Sequence, residues 1–285
     1  MCPSILLRRG IALLPCFALM TVSTARASLI AVEYDSGDLY GVSVPGATLE
    51  FIGSTGVSEL GALEYNPLDG FTYGITTGES AALYRIDIAL DPDEVTATYV
   101  GALGQYLYEG ALAFAPDGTA YAMNGGLIEP ELCTIDLLSG AVTHTQPMSE
   151  RHDFAGLGWR SDGMLIGLDS TENTLYEIDP ATAAVTPLAS ISDPIGSVGG
   201  MAMGFGQAYF ATAGPDASIP GSNKLYSFVP STGDHNEIGG FEDTITSGNG
   251  ISGLTIIPEP ASLVLLLLGG LVAVRRRPPA RYRIS

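Results

Sequence analysis

An all-β fold, a propeller of five four-stranded blades, is what this 285-residue sequence predicts. Three observations carry the expectation. A unit of two small residues, Leu or Met, an alternating residue and a large apolar one recurs at Gly61-Ala-Leu-Glu-Tyr65, Gly110-Ala-Leu-Ala-Phe114, Ala155-Gly-Leu-Gly-Trp159, Gly199-Gly-Met-Ala-Met203 and Ser252-Gly-Leu-Thr-Ile256. A second unit, Leu-Tyr-x-Ile-Asp or close to it, starts at Leu39, Leu83, Leu132, Leu175 and Leu225, which are 44, 49, 43 and 50 residues apart. Between the two units stand Asp69-Gly70, Asp117-Gly118 and Asp162-Gly163. Such pairs favour hairpins because the turn needs positive φ.

Taken in chain order, residues 1–27 read as a secretory signal peptide. Arg8 and Arg9 precede an apolar run from Ile11 to Val22, and Ala25-Arg26-Ala27 supplies the small residues of a cleavage site, with Ser28 the first mature residue. The run is short for a transmembrane span. Residues 28–257 form the propeller domain. It opens on Leu29–Tyr34, a turn at Asp35-Ser-Gly37 and the Leu39 strand, so the first blade lacks an innermost strand. The fifth copy of that strand, Ser252 to Ile257, arrives alone at the other end. It is expected to complete the first blade, and closure of that kind removes exposed sheet edges. Between these ends a blade runs small-pair strand, turn (Asp-Gly in three copies), second strand, Leu-Tyr strand, turn and fourth strand, about 45 residues in all. The small pairs suit the crowded axis. An open sandwich is the structural rival.

Residues 258–285 read differently. Pro258-Glu259-Pro260 is followed by an apolar run over residues 261–274 and then Arg275, Arg276 and Arg277. Fourteen residues make a helix of about 21 Å against a hydrocarbon core of about 30 Å, so a span needs bilayer mismatch and snorkelling arginines. The arginines stop the helix on the cytoplasmic side by the positive-inside rule. Motif, short helix and basic tail together resemble the PEP-CTERM sorting signal of Gram-negative bacteria. The tail after Arg277 is longer than that pattern leads one to expect. The resemblance implies Sec-type export, anchoring in the inner membrane by the helix, handling by an exosortase, and a final place at the cell surface or in an exopolysaccharide matrix.

Charge follows the same division. The whole chain has 12 Lys+Arg against 31 Asp+Glu. Residues 28–260 keep only Arg85, Arg151, Arg160 and Lys224 against all 31 acids, a balance of −27. A domain so acidic does not neutralise phosphates, which excludes nucleic acid as a partner. Only Cys133 of the three cysteines lies in that domain, so packing rather than disulfides must hold it. Cys133 occupies the slot of Tyr84 and Tyr176 and reads as a buried apolar residue.

No catalytic set is legible, and neither a cofactor nor a metal site is predicted. His144, His152 and His235 form no ligand spacing and are expected at solvated strand ends. Asp87, Asp136 and Asp179 recur at equivalent positions and are expected to cap turns. Acidic runs such as Asp91-Pro-Asp-Glu94 suggest at most weak calcium binding. Glu109, Glu150 and Asp153 flank the inner strands and are the first place to look for ligand contacts. A non-enzymatic surface or matrix protein that binds a glycan or another surface partner is the leading expectation. The rivals are a lactonase-like hydrolase or lyase with a metal at the axis, and calcium-bridged adhesion to the matrix.

Overall fold

The structure, a computed structural model, describes residues 27–88, 95–124, 130–191, 198–213, 223–241 and 250–258. Within them lie twenty strands in five four-stranded antiparallel sheets. The first blade holds β1 (Ala27–Glu33), β2 (Asp38–Ser43) and β3 (Thr48–Ser54), with β20 (Ile251–Pro258) inside them in the order β20-β1-β2-β3. The second holds β4 (Leu60–Tyr65), β5 (Thr72–Thr76), β6 (Ala82–Ile88) and β7 (Val95–Ala102). The third holds β8 (Gly110–Phe114), β9 (Ala120–Asn124), β10 (Glu131–Ile135) and β11 (Val142–Pro147). The fourth holds β12 (Phe154–Trp159), β13 (Leu165–Asp169), β14 (Thr174–Ile178) and β15 (Val185–Ser190). The fifth holds β16 (Val198–Gly204), β17 (Gln207–Thr212), β18 (Lys224–Phe228) and β19 (His235–Gly240). Five blades closed by the C-terminal strand is thus the observed fold, and the open sandwich falls away.

Closure is visible in both registers and packing. Strand β20 pairs β1 from Ala27 opposite Pro258 to Glu33 opposite Ile251, one pair beyond each expected domain boundary. Among the described residues there are five hydrophobic clusters, each between two neighbouring blades. The cluster of Leu29, Ala31, Ala202, Leu225, Ile251 and Leu254 joins the fifth blade to the first. That contact is what makes a ring rather than a row.

The five inner strands explain the small-residue pairs. A Cβ on Gly110 would stand 3.0 Å from the Gly61 Cα, closer than side chains tolerate, and one on Gly200, whose φ is +111°, would meet the Gly253 Cα at 2.7 Å. The Leu or Met of each copy (Leu63, Leu112, Leu157, Met201, Leu254) lines the axis, where the space left for water is only about 10 Å³. That is the volume of about one water, so among the described residues the inner strands leave no water-filled channel along the axis.

Turn chemistry follows the sequence. Asp69, Asp117 and Asp162 each accept the backbone N–H two residues on, and Gly70, Gly118 and Gly163 have φ of 78°, 84° and 95°. Asp136 and Asp179 cap their turns as expected, the first taking Leu138 N–H and Ser139 Oγ–H, the second Ala181 N–H and Thr182 Oγ1–H. Asp87 lies in β6, which runs on to Ile88, and it pairs with Arg85 at 3.1 Å; the turn that it was expected to cap lies outside the described residues. Cys133 is buried as expected, with Gln105 Nε2 at 3.2 Å and burial pushing its thiol pKa up.

Candidate functional site

Each inner strand begins on one face of the ring and ends on the other. The starting ends, among them Gly61, Gly110, Ala155, Val198 and Ser252, surround a recess of about 320 Å³ at the axial mouth. All five blades contribute to its wall. Its floor is the closed axis, so the recess is blind.

Local hydrogen bonds hold the wall in place. Tyr34 lies in the turn after β1, with its N–H on Gly250 O and its hydroxyl 2.6 Å from Thr77 Oγ1, which ties the first blade to the second. Gly78 and Leu107 exchange backbone hydrogen bonds at 2.7 and 3.2 Å, joining the second blade to the loop that enters the third. Asn124 then accepts Tyr108 N–H with Oδ1 and donates from Nδ2 to Tyr106 O. The loop so pinned delivers Tyr108 and Glu109 to the recess.

Glu109 meets Asp153 there. Burial, then the Asp153 charge and a hydrogen bond to it, and then the Asp169 charge push the Glu109 pKa from 4.5 to about 8. One oxygen of each, Glu109 Oε2 and Asp153 Oδ1, is buried without a hydrogen-bond partner. The other Asp153 oxygen accepts Ser170 Oγ–H at 2.8 Å and Thr171 Oγ1–H at 3.2 Å. Of the three carboxylates singled out in the sequence, the fold brings Glu109 and Asp153 together and leaves Glu150 exposed.

Behind Asp153 lies a buried hub that the sequence reading missed. His152 is not at a solvated strand end: it is 4% exposed, with its ring 4.9 Å from Phe154 and 4.7 Å from Tyr176. Its Nδ1 lies 3.1 Å from Asp169 Oδ2. Asp169 also accepts Asp153 N–H on Oδ2, and Thr171 and Glu172 N–H on Oδ1. His152, Asp169 and Glu172 offer ligand atoms within 4.8 Å of one another. Asp169 takes four hydrogen bonds and Tyr176 donates to Glu172 Oε2, so the trio braces the 150–153 loop. The other two histidines fit the expectation better, His144 being exposed and His235 half-buried at the start of β19.

A second buried carboxyl, Glu64, stands toward the far end of the axis. Its slot holds Ala113, Gly158, Ala202 and Thr255 in the other copies. Burial raises its pKa well above the carboxylate range, against a smaller opposing hydrogen bond from Thr255, and its Oε2 has no partner.

Both groups set a pH dependence. The unfolded chain releases the Glu109 proton near pH 4.5 and the folded chain near pH 8, so between these values the folded state binds more protons. The Glu109 contribution to stability is therefore fully present below pH 4.5 and is lost as pH rises through about 8, by about 3–5 kcal/mol at 1.36 kcal/mol per unit. Glu64 acts in the same direction. Urea unfolding of Glu109→Gln at pH 5 and pH 9 should show a flatter profile than the parent, with the variant the more stable at pH 9. An unchanged slope would mean that Glu109 is ionised in the fold.

Of the processing residues, Ala27 and Ser28 lie in β1 and Pro258 ends β20. Ala25, Glu259, Pro260, Arg275, Arg276, Arg277 and the expected helix over 261–274 lie outside the described residues. Among the described residues no helix is long and apolar enough to cross a membrane.

A family model described as a repeat of unknown function (DUF6923) matches residues 21–236, more than half of the chain. The chain belongs to that family. The DUF6923 match stops within β19, so the closing strand lies beyond it. No curated protein matches. Among solved structures, a chain of the nidogen/laminin complex is similar at 14% identity and a TM-score of 0.51, covering 81% of this chain and 98% of that one. A protein of unknown function from Bacteroides caccae is similar at 12% identity and a TM-score of 0.42, covering 82% of this chain and 100% of that one. Kuenenia stuttgartiensis hydrazine synthase is similar at 11% identity and a TM-score of 0.43, covering 63% of this chain and 49% of that one. At such identities the nidogen/laminin likeness bears on the fold alone, and the two lower scores carry no argument.

Proposed function

We propose that this DUF6923 chain is an exported, non-enzymatic surface protein whose propeller presents its axial recess to a small glycan ligand. The observation that carries the reading is the blind recess at the end of the ring opposite Pro258. A volume of about 320 Å³ falls in the range of small-ligand sites. Its wall combines the aromatic faces of Tyr34 and Tyr108 with the hydroxyls of Thr77 and Ser252, a mixture that suits the apolar faces and hydroxyl rim of a sugar ring. Glu109 keeps its proton at neutral pH and so offers a donor rather than a charge. The −27 balance of residues 28–260 repels anionic ligands and favours neutral ones.

Sorting completes the reading. Sec-type export, anchoring by residues 261–274 and exosortase handling at Pro258-Glu259-Pro260 would leave the domain at the cell surface or in the exopolysaccharide matrix. Because β20 ends on the far face, the anchor would hold the recess away from the membrane. Mass spectrometry of the secreted form, paired with a glycan array, tests both halves. A mature chain without residues 261–285 and binding of a neutral glycan that Tyr108→Ala weakens tenfold or more are expected. A mature chain retaining 261–285 would overturn the processing, and an array blank for the parent would overturn the glycan reading.

One observation favours a second reading, a metal-dependent hydrolase or calcium-bridged adhesin: the convergence of Glu109 and Asp153 with a free oxygen on each. Binding of a divalent ion there would displace the Glu109 proton near neutral pH. Calorimetry with calcium in buffers of different ionisation enthalpy decides it, since that proton release is absent if glycan binding is the role of the site.

A further inference from the structure

We infer that the face of the ring opposite the recess is a bilayer-docking surface, placed against the membrane from which the C-terminal segment leaves. The inference rests on the anchoring reading above and adds to it a second, weaker contact made by the domain itself.

Apart from Phe51 and Tyr99, which lie on the outermost strands β3 and β7, the exposed large hydrophobic residues are sorted between the two faces. On the recess face, among the described residues, they are tyrosines only, Tyr106 and Tyr108. On the opposite face they are aliphatic or Phe, and they sit on turns. Leu68 (65% exposed) is on the β4–β5 turn, Leu138 (92%) on the β10–β11 turn, Phe205 (55%) on the β16–β17 turn and Val229 (46%) on the β18–β19 turn. Phe71, just before β5, is also exposed there, with the Arg85 guanidinium 4.5 Å from its ring centroid. Hairpin tips have no fold-level need for such residues, since a turn is satisfied by Asp and Gly alone. Spread over three blades, they form a ring of apolar tips rather than one groove, which suits a planar, fluid partner better than a folded one.

What covers them follows from where the chain goes. Strand β20 ends at Pro258 on this same face, and 27 residues follow, with an apolar run at 261–274. An anchor that begins there holds the tips within a few residues' reach of the lipid. Partial burial of several apolar side chains in the interface adds a second contact beside that anchor.

Charge sets the kind of lipid. The turns of this face carry Asp69, Asp117, Asp136, Asp162, Asp179 and Asp234, against Arg160 and, beside Phe71, Arg85. Turn hydrogen bonds hold Asp117, Asp136 and Asp179 below the usual carboxylate range, and an ion pair with Arg160 does the same for Asp162. They stay ionised and repel anionic headgroups, so the face suits a zwitterionic surface.

The single tryptophan makes the test direct. Trp159 ends β12 on this face and shares with Phe205 a cleft of about 610 Å³ between the fourth and fifth blades. The full chain is reconstituted in phosphatidylcholine vesicles with brominated acyl chains, floated on a gradient, and its tryptophan emission compared with that in unbrominated vesicles. The expected result is emission reduced about twofold, restored in the triple variant Leu68→Ser, Leu138→Ser, Phe205→Ser, which floats and melts as the parent does. Phosphatidylglycerol vesicles at low salt should quench less. A chain that floats with unquenched Trp159 overturns this proposal and leaves the anchor standing, whereas a chain that does not float overturns both. If the triple variant turns a dimer of the detergent-solubilised chain into a monomer, and the parent is unquenched, the face pairs copies of the chain and the proposal falls.

Discussion

Removal of residues 251–285 is expected to abolish the cooperative thermal unfolding of the domain. Strand β20 is the innermost strand of the first blade, and Ile251, Leu254 and Ile256 are 0%, 0% and 4% exposed. All three belong to the cluster that binds the fifth blade to the first. Burial of three such side chains contributes about 5–9 kcal/mol, against a whole-domain stability of about 5–15 kcal/mol. The loss also uncovers the β1 edge from Ala27 to Glu33, a template for aggregation. Scanning calorimetry should therefore show a broad or absent transition. A synthetic peptide of residues 251–258 should restore part of it by adding back the strand. A truncated chain that melts sharply within a few degrees of the parent would show that the ring is held by its other four interfaces.

The second large effect is expected at Asp169. It is 1% exposed, and its oxygens take His152 Nδ1 and three backbone N–H groups. Asp169→Ala strands all of those donors in a buried place at once, with an expected loss of about 3–5 kcal/mol in urea unfolding. Asp169→Asn keeps the shape and some of the acceptors and should recover part of it. Because the hub also carries Asp153, the alanine variant should weaken the hold of that loop on Glu109 and flatten the pH profile of stability. A loss below about 1 kcal/mol would mean that the loop has another support.

The blades were legible because their signals are local. Gly61-Ala62 and its four relatives report a distance between neighbouring inner strands, and Asp117-Gly118 reports the backbone of one turn. Each is a short-range need repeated five or three times, so repetition separates it from chance. Glu109 and Asp153 were flagged for their loops, but their meeting was not: 44 residues and a blade separate them, and it takes the curvature of the ring to bring the third and fourth blades' entry loops together. His152 was misread because a lone histidine beyond a strand end looks solvated. Its burial depends on Phe154, Tyr176 and Asp169, none of which signals a partner in its own stretch of sequence. Asp87 matches Asp136 and Asp179 in the repeat, but its strand runs on to Ile88, a length that the repeat alone does not signal. Glu64 left a usable trace, as the one charged residue in a slot otherwise filled by Ala, Gly or Thr.

The join between β1 and β20 also sets a clock. These two strands are separated by nearly the whole domain, so their pairing is the contact with the largest loop to close. A chain emerging N-terminus first cannot form it until Pro258 has appeared, and until then the first blade waits with an open inner edge. Completion of the ring thus reports that the entire domain has been delivered. The strand that gives the report ends on the first residue of Pro258-Glu259-Pro260, so a peptidase cutting after that residue would find the latch already fastened and would release the domain without undoing it.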